Sequence, residues 1–375
     1  MPRKKTSILI DAHIFDKEPQ GTATYIKGIY NSFAELFQNE YEIFVTAEDV
    51  VSLYNVFPQI EKKNFVPLRK SNSFNRLTKE LPRVIEENKI AFAHFQQIAP
   101  LKKNCHHIVT IHDLLFNDFK DKFSFSYRLS RNFLFKRSLL KSDIRLTVSQ
   151  YSKDSIQKHY GVDNVFITHN AVQDKYFETY NKDEAINYVA SKFQIKNYIL
   201  YVSRIEDRKN HLMLLQAFRQ LELYKKGVQL VFVGRNDIPV KKLEAEIKTL
   251  NEDEKKSFLW LQNVNDQDLM QIYKGAKLFV YPSLAEGFGI PPIEAGALQI
   301  NTICSNTTAM KDFYFFGKNH FNPNNIEDLK MKMLSNLQHP PHQDELSNIS
   351  KKIAEIYNWN EGAKIIHQLI KDKKH

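Results

Sequence analysis

Two glutamates eight positions apart, Glu286 and Glu294, frame the densest run of reactive chemistry in the sequence. They lie in Tyr281-Pro-Ser-Leu-Ala-Glu286-Gly287-Phe288-Gly289-Ile290-Pro-Pro-Ile-Glu294, where an apolar run leads into a glycine-bearing loop and then into prolines suited to a helix's first turn. Glycines let backbone approach a ligand closely, and a helix N-terminus presents free N–H groups to anionic oxygens. Glu286 in the loop and Glu294 about one helical turn further on can face the same cavity. Read singly, either glutamate is as well explained by the helix dipole. Read as a string, they point to a ligand site that can receive anionic oxygens.

A second cluster, Tyr201-Val-Ser203-Arg204-Ile-Glu-Asp-Arg-Lys209-Asn210-His211, follows a strand-like run. Arg204 and Lys209 flank a turn into a helix, a place where two cations can grip a diphosphate. Neither is expected in the core; the plain alternative is a solvated charged turn. Two more positions are weaker. Gly21, in Gln20-Gly21-Thr-Ala-Thr-Tyr25, opens a helix, and His112 ends the run Ile108-Val-Thr-Ile-His112-Asp113.

These residues need a scaffold, and the hydrophobic pattern supplies one. Short β-branched or aromatic runs alternate with longer amphipathic stretches, the signature of parallel sheets covered by helices. Strands are predicted at 8–11, 42–46, 91–95, 108–112, 145–149 and 165–169, with helices at 22–37, 74–87 and 124–141. A polar stretch, 173–196, reads as a connection. A second alternation then runs through strands at 198–202, 229–233, 259–262, 278–281 and 302–305. Helices at 324–338 and 344–357 follow, with Asn358-Trp359 interrupting before a last one at 361–370. The expected fold class is α/β, two Rossmann-like domains facing a central cleft: 1–180, 181–356, and a C-terminal helix over 357–375 packing back on the first domain. Ligands of such sheets sit at the carboxyl ends of the strands.

The segments resemble the retaining glycosyltransferases of the GT-B fold, family 4 (glycosyl transferases group 1), among them bacterial mannosyltransferases. Glu286 and Glu294 match the family's E-x7-E motif, and Ser203-Arg204 to Lys209-Asn210 its phosphate-binding loop. Val231-Phe-Val-Gly234 and residues 264–273 match in order, His112-Asp113 resembles its HD motif, and the loop at Gly21 its N-terminal glycine loop. The resemblance implies a hexosyltransferase, retaining and metal-independent, that moves mannose or rhamnose from a nucleotide-diphosphate sugar to a glycan or lipid-linked acceptor in surface polysaccharide (lipopolysaccharide) synthesis. It implies no cofactor. It places Glu286, His112, Arg204 and Lys209 in catalysis: Glu286 on a donor-sugar hydroxyl, His112 on the donor sugar, the two cations on the leaving diphosphate. It gives Gly21, Ser203, Gly287, Phe288, Gly289, Ile290 and Glu294 to substrate binding, with Glu294 on a ribose diol. Two departures stand out: Asn170-Ala171 where the family has Asn-Gly, and Ala-Gly-Ala-Leu-Gln after Glu294.

Other features bound the alternatives. Asp266-Gln-Asp268 spells the D-x-D of metal-dependent transferases of another fold, but it precedes a helical run, so Asp266 reads as an N-cap and Asp268 as a first-turn acid. A net charge of +10 asks for an acidic partner without choosing among nucleic acid, diphosphate and membrane. Between 120 and 141 stand seven Lys or Arg (Lys120, Lys122, Arg128, Arg131, Lys136, Arg137, Lys141) interleaved with aromatics. That segment suits an anionic membrane surface or, more plainly, a core helix with a solvated basic face. The basic start Met1–Lys5 lacks a following apolar region, no run reaches membrane-spanning length, and Cys105 and Cys304 lack metal-ligand spacing. A cytoplasmic enzyme, at most peripheral on the inner face of the membrane, is expected; the sequons at Asn306 and Asn348 then carry no meaning. A nucleic-acid-binding protein would leave the glutamate string unexplained, and no nucleic acid partner is expected. A catalytically dead scaffold would not need Arg204, Lys209 and both glutamates. A nicotinamide enzyme would need a G-x-G-x-x-G that the first loop lacks. A same-fold epimerase or phosphorylase is the nearest enzymatic rival.

Overall fold

The computed structural model describes residues 5–16, 21–236 and 239–374, without the side chain of Lys122. Met1–Lys4 and Gln20, which figured in the sequence reading, lie outside the described residues. The chain divides into two compact units: one runs to Ala171 and takes back the chain from Tyr357, the other is Val172–Ile356.

The first unit holds a seven-stranded sheet of β1 (Thr6–Asp11), β2 (Tyr41–Ala47), β3 (Phe65–Pro67), β4 (Phe92–Gln96), β5 (His106–Ile111), β6 (Ile144–Thr147) and β7 (Phe166–Ile167), in the order β3-β2-β1-β4-β5-β6-β7. Every pairing is parallel. Helices cover both faces, so the central strands bury nearly every side chain and lose polar alternation: Ile8, Leu9 and Ile10 are all fully buried. The long helix Gly21–Phe37 follows β1 and turns Tyr25, Ile26, Ile29, Tyr30 and Phe33 inward, a spacing of three and four. The last helix, Trp359–Asp372, is capped by Asn358 and packs on it: the Trp359 indole lies where a Cβ on Gly28 would be.

The second unit repeats the design with six parallel strands, β8 (Tyr198–Val202), β9 (Gln229–Val233), β10 (Phe258–Leu261), β11 (Leu278–Tyr281), β12 (Thr302–Ser305) and β13 (His320–Phe321), ordered β10-β9-β8-β11-β12-β13. In that order the chain winds outward from β8 in one direction and from β11 in the other. The gap between their carboxyl ends is the topological switch point, where ligands of such sheets bind. Both motif loops leave the sheet there.

Some expectations need correction. The stretch 173–196 is not a plain connection: it contains the helix Lys182–Phe193, whose N-terminal N–H groups at Asp183 and Glu184 donate to Asn181. The short strands β3 and β13 were not anticipated. Asn265, not Asp266, caps the helix Asp266–Gly275. Ala171 has no positive φ, so the Asn170-Ala171 turn follows a path that needs no glycine.

Candidate functional site

In the second unit, β8 delivers the chain to Ser203 and a turn ending at Asn210, which takes a left-handed conformation (φ 60°) before the helix His211–Gln220. Asn210 Nδ2 donates to the carbonyls of Pro282 (3.2 Å) and Pro323 (3.0 Å), tying this turn to the loop after β11. That loop passes Glu286 to Gly289, whose φ of 99° starts the helix Ile290–Ala297, with prolines in its first turn. Gly287 and Phe288 are buried, Phe288 edge-on to Phe313; Ile290 is half-buried.

The two loops meet in an ion network. Lys209 Nζ lies 2.5 Å from Glu286 Oε1, Arg208 Nη1 lies 3.0 Å from Glu286 Oε2, and the Tyr281 hydroxyl donates to Oε1 at 2.9 Å. Glu206 joins the other ends, 2.9 Å from Arg208 Nε and 2.9 Å from Arg204 Nη2. Three cations thus share two carboxylates. Lys209 and Glu286 are both buried, so Lys209 lies in the core, contrary to the expectation that neither cation would; its aliphatic stem and charge are both enclosed. Burial opposes ionisation of Glu286, yet the charges of Lys209 and Arg208 outweigh it and hold the carboxyl down at about 2. Burial pulls the Lys209 ammonium below the usual lysine value, with Glu286 opposing.

Glu294 sits in different surroundings. Its Oε2 accepts from the Tyr273 hydroxyl at 3.0 Å, and burial raises its carboxyl above the usual value, with Tyr273 and Tyr176 opposing. One glutamate of the pair is held ionised by cations, while the other is poised nearer neutrality among tyrosines. Ser203 spends its hydroxyl on the Arg204 carbonyl, and its own carbonyl lies where a Cβ on Gly234 would be, 1.9 Å away.

The other expected residues lie in the first unit, at the carboxyl ends of its strands. His112 is buried after β5, its Nε2 2.8 Å from Gln96 Oε1 at the end of β4, and burial lowers its pKa to about 4, so the ring is neutral at pH 7. The Gln96 amide nitrogen is buried without a hydrogen-bond partner among the described residues. Tyr25 packs edge-on against the His112 ring at 5.2 Å. Gly21 begins its helix with nothing within 4 Å of where a Cβ would sit.

Several residues were missed. Arg208 bridges both carboxylates of the network, and Tyr176 and Tyr273 surround Glu294. At the end of β1, fully buried Asp11 meets His13 Nδ1 at 2.9 Å and Arg76 Nη1 at 2.5 Å. Burial opposes the charge on Asp11, but Arg76 and His13 hold its carboxyl below the usual range. Arg76 begins a π-helical turn, Arg76–Glu80, a distortion common at functional sites. Of the D-x-D acids, Asp268 is engaged as structure: it binds Lys192 (2.7 Å) and the Tyr188 hydroxyl (2.6 Å). Among the described residues no cluster of three His, Cys, Asp or Glu could hold a metal ion.

Tandem parallel sheets of this order, with a cationic network at the switch point of the second, define the GT-B class, and solved structures agree on the fold. Sucrose-phosphate synthase from Thermosynechococcus elongatus superposes with a TM-score of 0.76 at 15% identity, over 98% of this chain and 99% of that one. An Anabaena protein, HepE, solved in complex with UDP and glucose, does so with a TM-score of 0.74 at 13% identity, over 98% and 100%. Glycosyl transferases group 1 matches residues 183–353, and Glycosyltransferase Family 4 matches residues 19–176. The chain belongs to this glycosyltransferase family. Among curated relatives, it is 30% identical to the O-antigen chain mannosyltransferase RfbU of Salmonella typhimurium over 68% of this chain, and 27% identical to the O-antigen chain mannosyltransferase B of Escherichia coli over 59%. These matches span 66% and 58% of the relatives' own lengths.

Proposed function

We propose that the protein transfers a hexose, with mannose favoured, from a nucleotide-diphosphate sugar to a glycan acceptor in the synthesis of a surface polysaccharide. The observation that carries this is the Arg204–Glu206–Arg208–Glu286–Lys209 network at the switch point of the second sheet, buried at Lys209 and Glu286 and open at Arg204. Departure of a nucleoside diphosphate builds negative charge on its terminal phosphate, and fixed cations in a water-poor site stabilise that charge without reorganising. Excess positive charge in the network, three cations to two carboxylates, favours a metal-independent reaction. The mannosyltransferase relatives support mannose, with rhamnose the second choice.

Glu286 already accepts from Lys209, Arg208 and Tyr281, which commits most of its lone pairs. Its first role is therefore to orient the two cations, and its remaining acceptor capacity serves a sugar hydroxyl. Glu294 Oε1 takes the hydrogens of a ribose diol. His112 and Gly21 contact donor sugar and phosphate, and the neutral imidazole can accept or donate a single hydrogen bond there. No side chain is assigned as nucleophile; the acceptor attacks the face the diphosphate leaves, with retention. The acceptor is carried on a lipid at the inner face of the cytoplasmic membrane. Among the described residues no helix is long and apolar enough to cross a membrane.

The test is thermal denaturation with GDP, UDP, TDP and ADP, then transfer from the corresponding sugars with and without EDTA. A nucleotide at a hundred times its dissociation constant adds about 2.7 kcal/mol of stability. If no nucleotide shifts the midpoint, the donor assignment fails; turnover lost with EDTA defeats metal independence; donor hydrolysis or epimerisation without transfer favours the rival activities.

A further inference from the structure

The helix Phe125–Lys141 has 17 residues, yet it buries only Phe135, Ser138 and Leu139. Leu134 is half-buried against the core, but the other large apolar side chains do not turn inward as a core helix requires. Phe125 is 74% exposed, Leu129 61%, Phe133 69% and Leu140 51%. At 100° per residue these four fall within an arc of about 80°, with exposed Lys136 in the same arc. They make a ridge about 22 Å long, at 1.5 Å per residue. Lys120 and Lys141 stand exposed beyond its two ends, and among the described residues Lys120, Lys136 and Lys141 have no acidic partner. The other cations of the segment are less free. Arg131 lies over the rings of Tyr127 (5.2 Å) and Phe135 (5.9 Å), and Arg137 donates to the carbonyls of Pro100 (3.3 Å) and Leu101 (2.7 Å). Arg137 ties the helix to the loop at Pro100 and Leu101, while Arg131 is engaged along its own helix, and both leave the ridge outward. Leu101, itself 50% exposed, extends the apolar surface from the neighbouring loop.

We propose that this ridge docks the protein on an anionic lipid bilayer, with Phe125, Leu129, Phe133 and Leu140 in the acyl boundary and Lys120, Lys136 and Lys141 at the headgroups. Two features select a bilayer over a protein partner. A convex single-file ridge offers no concavity for a shaped side chain but enters a fluid without needing complementarity. Its flanking charge is predominantly positive, with Asp121 the single acid between 120 and 141, the arrangement that lets an amphipathic helix lie in the plane of an anionic interface. The ridge deepens the functional reading by placing the enzyme beside a lipid-borne acceptor, and it rests on that reading only for the acceptor's location.

The test is flotation of the full chain with phosphatidylcholine vesicles, with and without phosphatidylglycerol, in the absence of substrate. At low salt, phosphatidylglycerol should tighten binding by about tenfold or more, and physiological salt should weaken it. Lys136→Glu should weaken binding about twentyfold, since each unit of charge near the surface is worth roughly fivefold. The triple variant Phe125→Ser, Leu129→Ser, Phe133→Ser should weaken it about a hundredfold or more while melting no lower than wild type, because the replaced side chains are exposed. Wild-type protein that ignores anionic vesicles at low salt overturns the proposal, as does a triple variant that binds like wild type. A wild-type dimer that the triple variant converts to monomer, with no vesicle binding, would assign the ridge to a second copy of the chain. Transfer to a soluble acceptor by the triple variant reads the catalytic assignment separately, so failure of either is visible by itself.

Discussion

At the scale of single residues, the cationic network separates catalysis from stability. Arg204 is half-exposed and pairs with Glu206, so Arg204→Ala should lower kcat/KM by roughly 10²–10³ and leave the melting temperature nearly unchanged. Lys209→Ala should cost a similar factor in kcat/KM but also roughly 3 kcal/mol in urea denaturation, because it strips one partner from buried Glu286. Near-normal turnover in both variants would refute the diphosphate role. The glutamates should separate by pH. Glu286 is depressed to about 2, so its stabilising contribution is complete above the ordinary glutamate value and fades as pH falls toward 2. Glu294 is raised by burial, so its ionisation costs stability as pH climbs through the unfolded and then the folded value. Glu294→Gln should therefore melt higher than wild type, by a wider margin at pH 8 than at pH 4, while binding nucleotide more weakly. An equal margin at both pH values would contradict the assigned burial. Sequence alone singled out both glutamates, Arg204 and Lys209, but not that Glu286 would sit among cations and Glu294 among tyrosines. In the run Arg204 to Lys209 every charge looks solvated, and only tertiary packing decides that Lys209 turns inward and Arg208 spans two carboxylates. Arg76 was hidden for the same reason, since its pairing with Asp11, 65 positions away, leaves no local trace.

At the scale of elements, two glycines test opposite claims. A Cβ on Gly234 would stand 1.9 Å from the Ser203 carbonyl oxygen, so Gly234→Ala must push the β9 loop off the β8 loop that carries Arg204. A melting temperature lower by several degrees, with weakened nucleotide binding, is expected; an unchanged crystal structure and affinity would show the contact to be slack. Gly21 has open space around it, so Gly21→Ala should leave stability unchanged or slightly higher, and any loss of activity then reports a ligand rather than a strained fold. The central strands were legible because parallel strands buried on both faces read as unbroken apolar runs, as in Tyr198–Val202. The helix Lys182–Phe193 was not, because it buries only Ala185 and Val189, too few apolar positions to set a period. Strands β3 and β13, of three and two residues, stand in no apolar run long enough to single out, Phe65-Val-Pro being preceded by Lys-Lys-Asn and His320-Phe flanked by Asn on both sides.

At the scale of the whole molecule, the chain order and the compact units disagree, and that sets how the protein can be divided. The second unit, Val172–Ile356, is one continuous stretch. The first needs residues from both ends of the chain, because the helix Trp359–Asp372 completes its core. Ala363, Ile366 and Ile370 are fully buried, Trp359 fills the space over Gly28, and Gly362 allows Ile29 to approach closely. His367 stacks on Phe37 with ring centroids 3.9 Å apart and bonds the Tyr41 hydroxyl at 2.9 Å. Each buried isoleucine or aromatic left exposed by removing this helix costs about 1.5–3 kcal/mol, and a domain's whole stability is only about 5–15 kcal/mol. Residues 172–356 expressed alone should therefore fold and bind nucleotide, since the network and Glu294 both lie within them. Residues 1–171 alone should aggregate or melt far below the full chain, and a peptide of 357–375 added in trans should restore a cooperative transition at a midpoint that rises with peptide concentration. Calorimetry of the three preparations decides the matter: a 1–171 fragment that melts cooperatively at the full-chain temperature would mean that the terminal helix only decorates a core already complete.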